Sequence, residues 1–245
     1  MSQAITAILY APGTNCHEET AAAVELAGGK TELVLLRDLL DGRTRLSDFQ
    51  AAVVPGGFSY GDHLGAGRIF ATALVAQLRD QLVEFLAAHK PMLGVCNGFQ
   101  VLTEAGILPG RTPGQRSVAL IENQSARFED RKVRLLVSNA KCMWTEGLAG
   151  QILNMPSAHA EGRPLFCAAD STPPPVVFRY CDEQGRCTME YPCNPNGAPD
   201  GVAGIADETG LVLGLMPHPE RASLPAHYSQ DGLTLFKNLV RWLKG

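Results

Sequence analysis

The chain has 245 residues, 45% hydrophobic and 19% charged, enough for one substantial core. Its 21 basic and 25 acidic residues give a net charge of −4 with no Lys/Arg run, so electrostatics offer no reason to expect nucleic acid or an anionic membrane as a partner. Mean hydropathy is near zero, and no apolar run approaches the ~18 residues that span a bilayer.

The N-terminal segment lacks a basic region, and Pro12-Gly13 ends its apolar stretch early. It predicts a first strand over 4–10 and no signal peptide, hence a cytoplasmic protein. The 7 cysteines, an odd number with no secretion signal, predict reduced thiols. Asn15-Cys16-His17-Glu18 predicts a helix start, with Asn15 as cap and Glu18 as its reciprocal partner, and Gly28-Gly29 stops that helix. Residues 31–36 and Ala51–Val54 follow as strands, the second broken by Pro55-Gly56-Gly57.

Residues 68–88 predict a long amphipathic helix. Phe70, Leu74, Leu78, Leu82 and Leu86 recur every four positions, and Gln77, Asp80, Gln81 and Glu84 form the wet face. Pro91–Val95 is a fourth strand and another helix follows it. This alternation predicts an α/β fold with a mostly parallel central sheet covered by helices on both sides. In the second half, Lys132–Val137, Val176–Tyr180 and Leu211–Met216 read as strands. Segments 109–116, 170–175 and 192–201 read as loops, and Leu235, Phe236, Leu239, Val240 and Leu243 mark a closing helix. No internal repeat or long linker divides the chain.

Three stretches carry chemistry. Gly94-Val95-Cys96-Asn97-Gly98 stands where a buried strand turns into a helix, the nucleophile-elbow pattern with Cys as nucleophile. Its glycines suit a crowded turn, and the helix N-terminus favours thiolate. The other reading of Cys96 is an inert buried thiol. Pro217-His218-Pro219-Glu220 follows a strand. In extended backbone, residues two apart point the same way, so Glu220 can orient the His218 imidazole as in a catalytic triad; the alternative is a structural salt bridge. The run Pro55–Asp62 exposes backbone N–H groups at a strand end. One of these, with the N–H of Asn97, can hold an oxyanion, or the run is a plain glycine turn. His17, His63, His89 and His227 have no comparable setting and read as surface or packing residues.

Val54-Pro55-Gly56-Gly57, Gly94–Gln100 and His218-Pro219-Glu220 resemble the class I, triad-type glutamine amidotransferases. More narrowly, Gly56–Asp62, Cys96-Asn97-Gly98-Phe99-Gln100 and Met216–Arg221 resemble the glutaminase component of phosphoribosylformylglycinamidine synthase. Asn123–Glu129, His159–Arg163 and Asn194–Gly197 extend this resemblance over nearly the whole chain.

The resemblance implies one glutamine amidotransferase type 1 domain over residues 1–245, with the elbow at the carboxyl end of the sheet. It implies Cys96 as nucleophile, His218 as general base and acid, and Glu220 as its orienter. The N–H groups of Gly57 and Asn97 would form the oxyanion hole, and Gln100 would help shape the glutamine pocket. L-Glutamine would be hydrolysed to glutamate and ammonia through a γ-glutamyl thioester. The ammonia would pass by a closed route to a synthetase subunit that converts formylglycinamide ribonucleotide to the amidine in purine biosynthesis.

The chain has no phosphate loop, so ATP and Mg are expected on the synthetase partner, and no cofactor or metal is expected here. A small third subunit occurs in some versions of the complex. The stretch Arg179–Cys193 is longer than in compact stand-alone glutaminases and resembles the glutaminase end of the fused synthase. Its Cys181, Cys187 and Cys193 are too widely spaced for ordinary zinc pairs and read as incidental cysteines on a flexible loop. His159 lies in a shared motif and reads as structural. Two other classes stay open on the residues alone. One is another cysteine hydrolase on the same elbow; the other is a non-catalytic regulatory module, whose signature would be loss of Cys96 or His218.

Overall fold

Alternating apolar runs and helical stripes build the first half of the chain as expected. In the computed structural model, which describes residues 4–167 and 173–245, strand β1 (Ile5–Tyr10) leads through helix α1 (His17–Leu26) to β2 (Lys30–Leu35). The short α2 (Leu36–Leu40) then leads to β3 (Ala51–Val54), and helix α3 (Arg68–Ala87) to β4 (Met92–Val95) and α4 (Asn97–Glu104). Along α3, Phe70, Leu74, Leu78, Leu82 and Leu86 are all buried, joined by Phe85. Gln77, Asp80 and Glu84 face water, while the Gln81 side chain accepts the Leu46 N–H at 2.9 Å.

The second half adds β5 (Val118–Glu122), β6 (Glu129–Val137), β7 (Ile152–His159), β8 (Glu161–Phe166), β9 (Val176–Tyr180), β10 (Val202–Ala206), β11 (Val212–Leu215) and α5 (Leu233–Lys244). Among the described residues one nine-stranded sheet has the order β2-β1-β3-β4-β11-β10-β9-β6-β7, and β5 pairs with β8 apart from it. From β2 to β11 all neighbours are parallel; from β11 to β7 all are antiparallel. The expected parallel sheet is thus the part that carries the elbow, and it continues into an antiparallel extension. The β1-to-β2 and β3-to-β4 crossovers step in opposite directions along the sheet, so right-handed connections place α1 and α3 on opposite faces. Helix α5 joins α1 on one face and α4 joins α3 on the other. Among the described residues no helix is long and apolar enough to cross a membrane.

Several elements differ from the sequence reading. The N-cap of α1 is Cys16, and no side chain caps this helix. Asn15 instead accepts a hydrogen bond from the Cys16 thiol at 3.2 Å, because the chain there is pulled against Gly56 by a Cys16 N–H to Gly56 O bond. Strands β5, β7, β8 and β10 were not anticipated. Pro156 and Pro164 interrupt two of them, and β10 (Val-Ala-Gly-Ile-Ala) is buried along its whole length, so it shows no alternation. Of the 170–175 loop, residues 170–172 lie outside the described residues. The stretch 181–187 is a short hairpin, with Cys181 bridged to Cys187 and buried, and so is not a loose loop.

The 109–116 loop is tied down by charge. Arg111 Nη1 meets the fully buried Asp207 carboxylate at 2.6 Å and Thr209 Oγ1 at 3.0 Å, and Nη2 donates to the Leu86 carbonyl. Removing one member strands a buried charge. Arg111→Ala is expected to cost about 3–5 kcal/mol in urea unfolding; a loss within about 0.5 kcal/mol would show that the pair is solvated.

Candidate active site

Cys96 sits between β4 and α4 with φ +51 and ψ −109, a conformation an L-residue holds only when its surroundings force it. The forcing contacts are backbone to backbone. Cys96 N–H donates to Leu215 O of β11 at 2.8 Å, and Cys96 O accepts the Gln100 N–H at 3.1 Å. A Cβ on Gly98 would lie 1.8 Å from Val54 O, and one on Gly94 would lie 2.7 Å from Gly98 O. Both glycines are therefore required by close approach, as the Gly-x-Cys-x-Gly frame suggested. The sulfur leaves the carboxyl end of the parallel strands, at the N-terminus of α4.

Strand β11 runs parallel beside β4, so the chain after it emerges at the same end. His218 N–H is fastened to Pro156 O at 2.8 Å, and His218 Nδ1 lies 2.6 Å from Glu220 Oε1. The pair is as expected, but the backbone between is not extended. Pro219 is helical (φ −66, ψ −31) and Glu220 opens a 3-10 turn, so the carboxylate reaches the ring by a turn. With Nδ1 donating to the carboxylate, Nε2 is free to take or give a proton; it is buried and has no partner among the described residues. Burial opposes the charged imidazolium, but the Glu220 carboxylate and the Cys96 sulfur outweigh it and hold the His218 pKa well above the usual histidine value. Gly56 forms the floor: a Cβ there would lie 2.8 Å from His218 Cε1 and 3.4 Å from Cys96 Cβ.

The Pro55–Asp62 run is more than a plain turn. Gly57 has φ +140 and is bridged to Thr14, and a Cβ there would lie 2.7 Å from Asn15 N. Phe58 and Cys16 N–H groups are taken by Gly13 O and Gly56 O, whereas no backbone acceptor takes the Gly57 N–H among the described residues. Asn97 is the first residue of α4, where N–H groups have no intrahelical partner. The Asn97 side chain binds Ser59 N–H (3.1 Å), Asp62 Oδ1 (3.0 Å) and Gln100 Oε1 (3.0 Å), and Gln100 Nε2 donates to Glu161 O at 2.6 Å. Gln100 is thus a strut between α4 and β8 that also lines the pocket. Gly57, Asp62, Cys96, Gln100, Ala158 and His159 surround a cavity of about 40 Å³. A larger cavity of about 760 Å³, lined by His89, Cys142 and Trp242 among others, lies toward the opposite end of β4 and away from this chemistry.

Of two further residues of the site, Cys16 is not singled out by the sequence and His159 is read there only as structural. Cys16 Sγ lies 3.2 Å from the same Gly56 Cβ position and accepts a hydrogen bond from Arg221 Nη2 at 3.3 Å, so a second thiol stands beside His218. Burial, with the nearby Glu220 charge, raises its pKa against the lowering influence of His218 and Arg221. One ligand atom each from Cys16, His218 and Glu220 falls within 4.8 Å of the others, and a hydrogen bond from His218 Nδ1 to Glu220 already joins two of these residues. No local signal marks Cys16, because its role arises from a contact with residues about 200 positions away. His159 is the other. Asn123 Nδ2 donates to Arg127 O and His159 O, so Asn123 Oδ1 is the acceptor for Gly162 N–H and for His159 Nδ1. This fixes the His159 tautomer. None of Cys181, Cys187 and Cys193 lines the cavity.

Burial, aided by the charge of His218, drives the His159 pKa from 6.5 down to about 3, so this ring is neutral in the folded protein. Its contribution to stability is complete above pH 6.5 and is lost as pH falls toward 3, because only the unfolded chain takes up the proton in that window. His218, with its raised value, contributes in the opposite sense: fully below 6.5, and lost as pH rises through its folded value. Between about pH 6.5 and about pH 5, His159→Gln is expected to lose roughly 2 kcal/mol less unfolding free energy than wild type. Parallel slopes in urea titrations would mean that His159 is not held neutral.

The chain matches the family model for the CobB/CobQ-like glutamine amidotransferase domain over residues 3–243. It is 40% identical over 255 residues to the phosphoribosylformylglycinamidine synthase subunit PurQ of Dehalococcoides mccartyi, covering 100% of this chain and 99% of that one. It is 42% identical over 242 residues to the PurQ subunit of Pyrococcus furiosus, covering 97% and 98%. Among solved structures, a chain in the structure of PurLQS from Thermotoga maritima superposes with a TM-score of 0.80 at 30% identity, covering 98% of this chain and 99% of that one.

Proposed function

The chain belongs to the CobB/CobQ-like glutamine amidotransferases, among the PurQ subunits of phosphoribosylformylglycinamidine synthase, and on that premise we propose how its own residues perform the glutaminase reaction. Its function is that of the glutamine amidotransferase subunit of this synthase in purine biosynthesis. The observation that carries the mechanism is the 2.6 Å Nδ1–Glu220 bond, which leaves His218 Nε2 buried beside an elbow cysteine.

Cys96 thiolate attacks the side-chain carboxamide of L-glutamine, and the charge that develops on oxygen is received by the Gly57 and Asn97 N–H groups. His218, protonated at Nε2, gives that proton to the departing ammonia, with Glu220 stabilising the imidazolium. Water deprotonated by His218 then hydrolyses the γ-glutamyl thioester to glutamate, regenerating the thiol. Gln100 and Asn97 hold the pocket wall in place.

The cavity of about 40 Å³ has room for only a few waters, so glutamine enters by outward movement of the 58–66 wall. That wall holds Tyr60, Asp62 and Leu64 at positive φ (54, 52 and 66), an arrangement with strain to release. Exposed Phe58, Phe128 and Leu64 at this rim are suited to contact a partner. The partner is the synthetase subunit, which carries ATP and Mg and takes the ammonia by a closed route. The near-complete match to a chain of PurLQS supports a small third subunit in the assembly.

Glutamate release by this chain in complex with its synthetase is expected to vanish in Cys96→Ala. In Glu220→Gln, kcat is expected to fall by roughly 10²–10⁴ at little change in KM. Release that survives in Cys96→Ala would overturn the nucleophile assignment. Equal release with and without the synthetase would overturn gating by the 58–66 wall.

A further inference from the structure

The glutaminase chemistry uses none of the three evenly spaced cysteines of the 179–193 stretch. Two of them are brought together by a rigid hairpin. Asp182 Oδ1 accepts the N–H groups of Gln184 and Arg186, each at 2.9 Å, and Gly185 takes φ +76 to close the turn. Asp182 N–H donates to Arg186 O at 2.9 Å, and Thr188 N–H donates to Tyr180 O at 3.1 Å. These two bonds bracket Cys181 and Cys187, which stand opposite each other in an antiparallel bridge.

A pair bracketed in this way is of the non-hydrogen-bonded kind. Its Cα atoms are about 4.5 Å apart and its side chains project on one face of the ribbon. That spacing falls within the roughly 4.4–6.8 Å a disulfide requires. Cys181 is buried and Cys187 is exposed. The hairpin base is pinned from behind: a Cβ on Gly201 would lie 2.9 Å from Thr188 O and 3.2 Å from Tyr180 O. The two thiols are therefore held in register without needing to move the chain. Cys193 stands in the following turn, outside the bridge.

We propose that Cys181 and Cys187 form a reversible disulfide, a thiol-oxidation site distinct from the glutaminase nucleophile. The exposed Cys187 reacts first. Its thiolate attacks one sulfur of a small disulfide such as oxidised glutathione, forming a mixed disulfide and expelling one glutathione thiolate. Cys181 then gives up its proton to solvent and attacks Cys187 Sγ, expelling the second glutathione. Two protein thiols are oxidised and one glutathione disulfide is reduced to two glutathione molecules. Burial, with the neighbouring Cys187 sulfur, pushes the Cys181 pKa up to about 11, so it waits for the primed partner rather than reacting on its own.

The test is exposure of the full chain to oxidised glutathione, acid quench, and non-reducing peptide mapping with trypsin plus a Glu-specific protease, which separates Cys187 from Cys193. The expected product is a disulfide between the 180–183 and 187–190 peptides. It should be absent in Cys187→Ser, where loss of the Cys181 thiol should slow at least about tenfold, and it should persist in Cys193→Ser. Recovery of Cys187 only as a glutathione adduct with Cys181 still free, or a link from Cys181 to Cys193, would overturn the proposal.

Discussion

The contact between Gly98 and Val54 O is the constraint from which the rest of the site follows. With no room for even one carbon between α4 and the end of β3, the chain after β4 has a single way to turn. That turn places Cys96 at positive φ and directs α4 away from the sheet behind the sulfur. Gly56 extends the same constraint sideways, since only a residue without a side chain leaves His218, Cys16 and Cys96 facing one another across it. The thiol is thus positioned by missing atoms at three glycines more than by any attractive contact of its own.

Electrostatics then divide the two buried histidines of the site. His218 has a carboxylate at 2.6 Å and is held toward its charged form. His159 has an amide as its nearest partner and is held neutral. Two imidazolium charges in one dry pocket would repel strongly, and burial of His159 together with the charge on His218 keeps that state from forming. The same pocket therefore holds one ring that can exchange protons and one that cannot.

How much of this was legible in the sequence follows the range of the interactions. The parallel half was read nearly to the residue, because its strands are short aliphatic runs and α3 carries a regular stripe. The residues of the proposed triad were legible because each sits in a local frame, Gly-x-Cys-x-Gly or His-Pro-Glu, although Glu220 reaches His218 through a turn and not along an extended chain. The antiparallel extension was mostly hidden by Pro156, Pro164 and the featureless small residues of β10. Cys16 was invisible as a site residue, and His159 was legible only as a structural residue of a shared motif, for a different reason. Their neighbours are Arg221 and Asn123, and no periodicity encodes such contacts. The Cys181–Cys187 bridge likewise depends on a hairpin register that spacing alone does not reveal.

Strand β11 is the last strand in the chain, yet it lies in the middle of the sheet, between β4 and β10. Until residues 212–215 are in place, the parallel and antiparallel portions are two sheets with bare edges facing each other. During synthesis, then, β4 and α4 are made long before β11, and the last strand seals the sheet, fastens the Cys96 N–H through Leu215 O and delivers His218. A ribosome-bound chain stopped short of this point would hold Cys96 without His218, its proposed base, and two sheet edges ready to pair with a neighbour. Closure of the sheet and completion of the proposed site thus depend on one and the same strand.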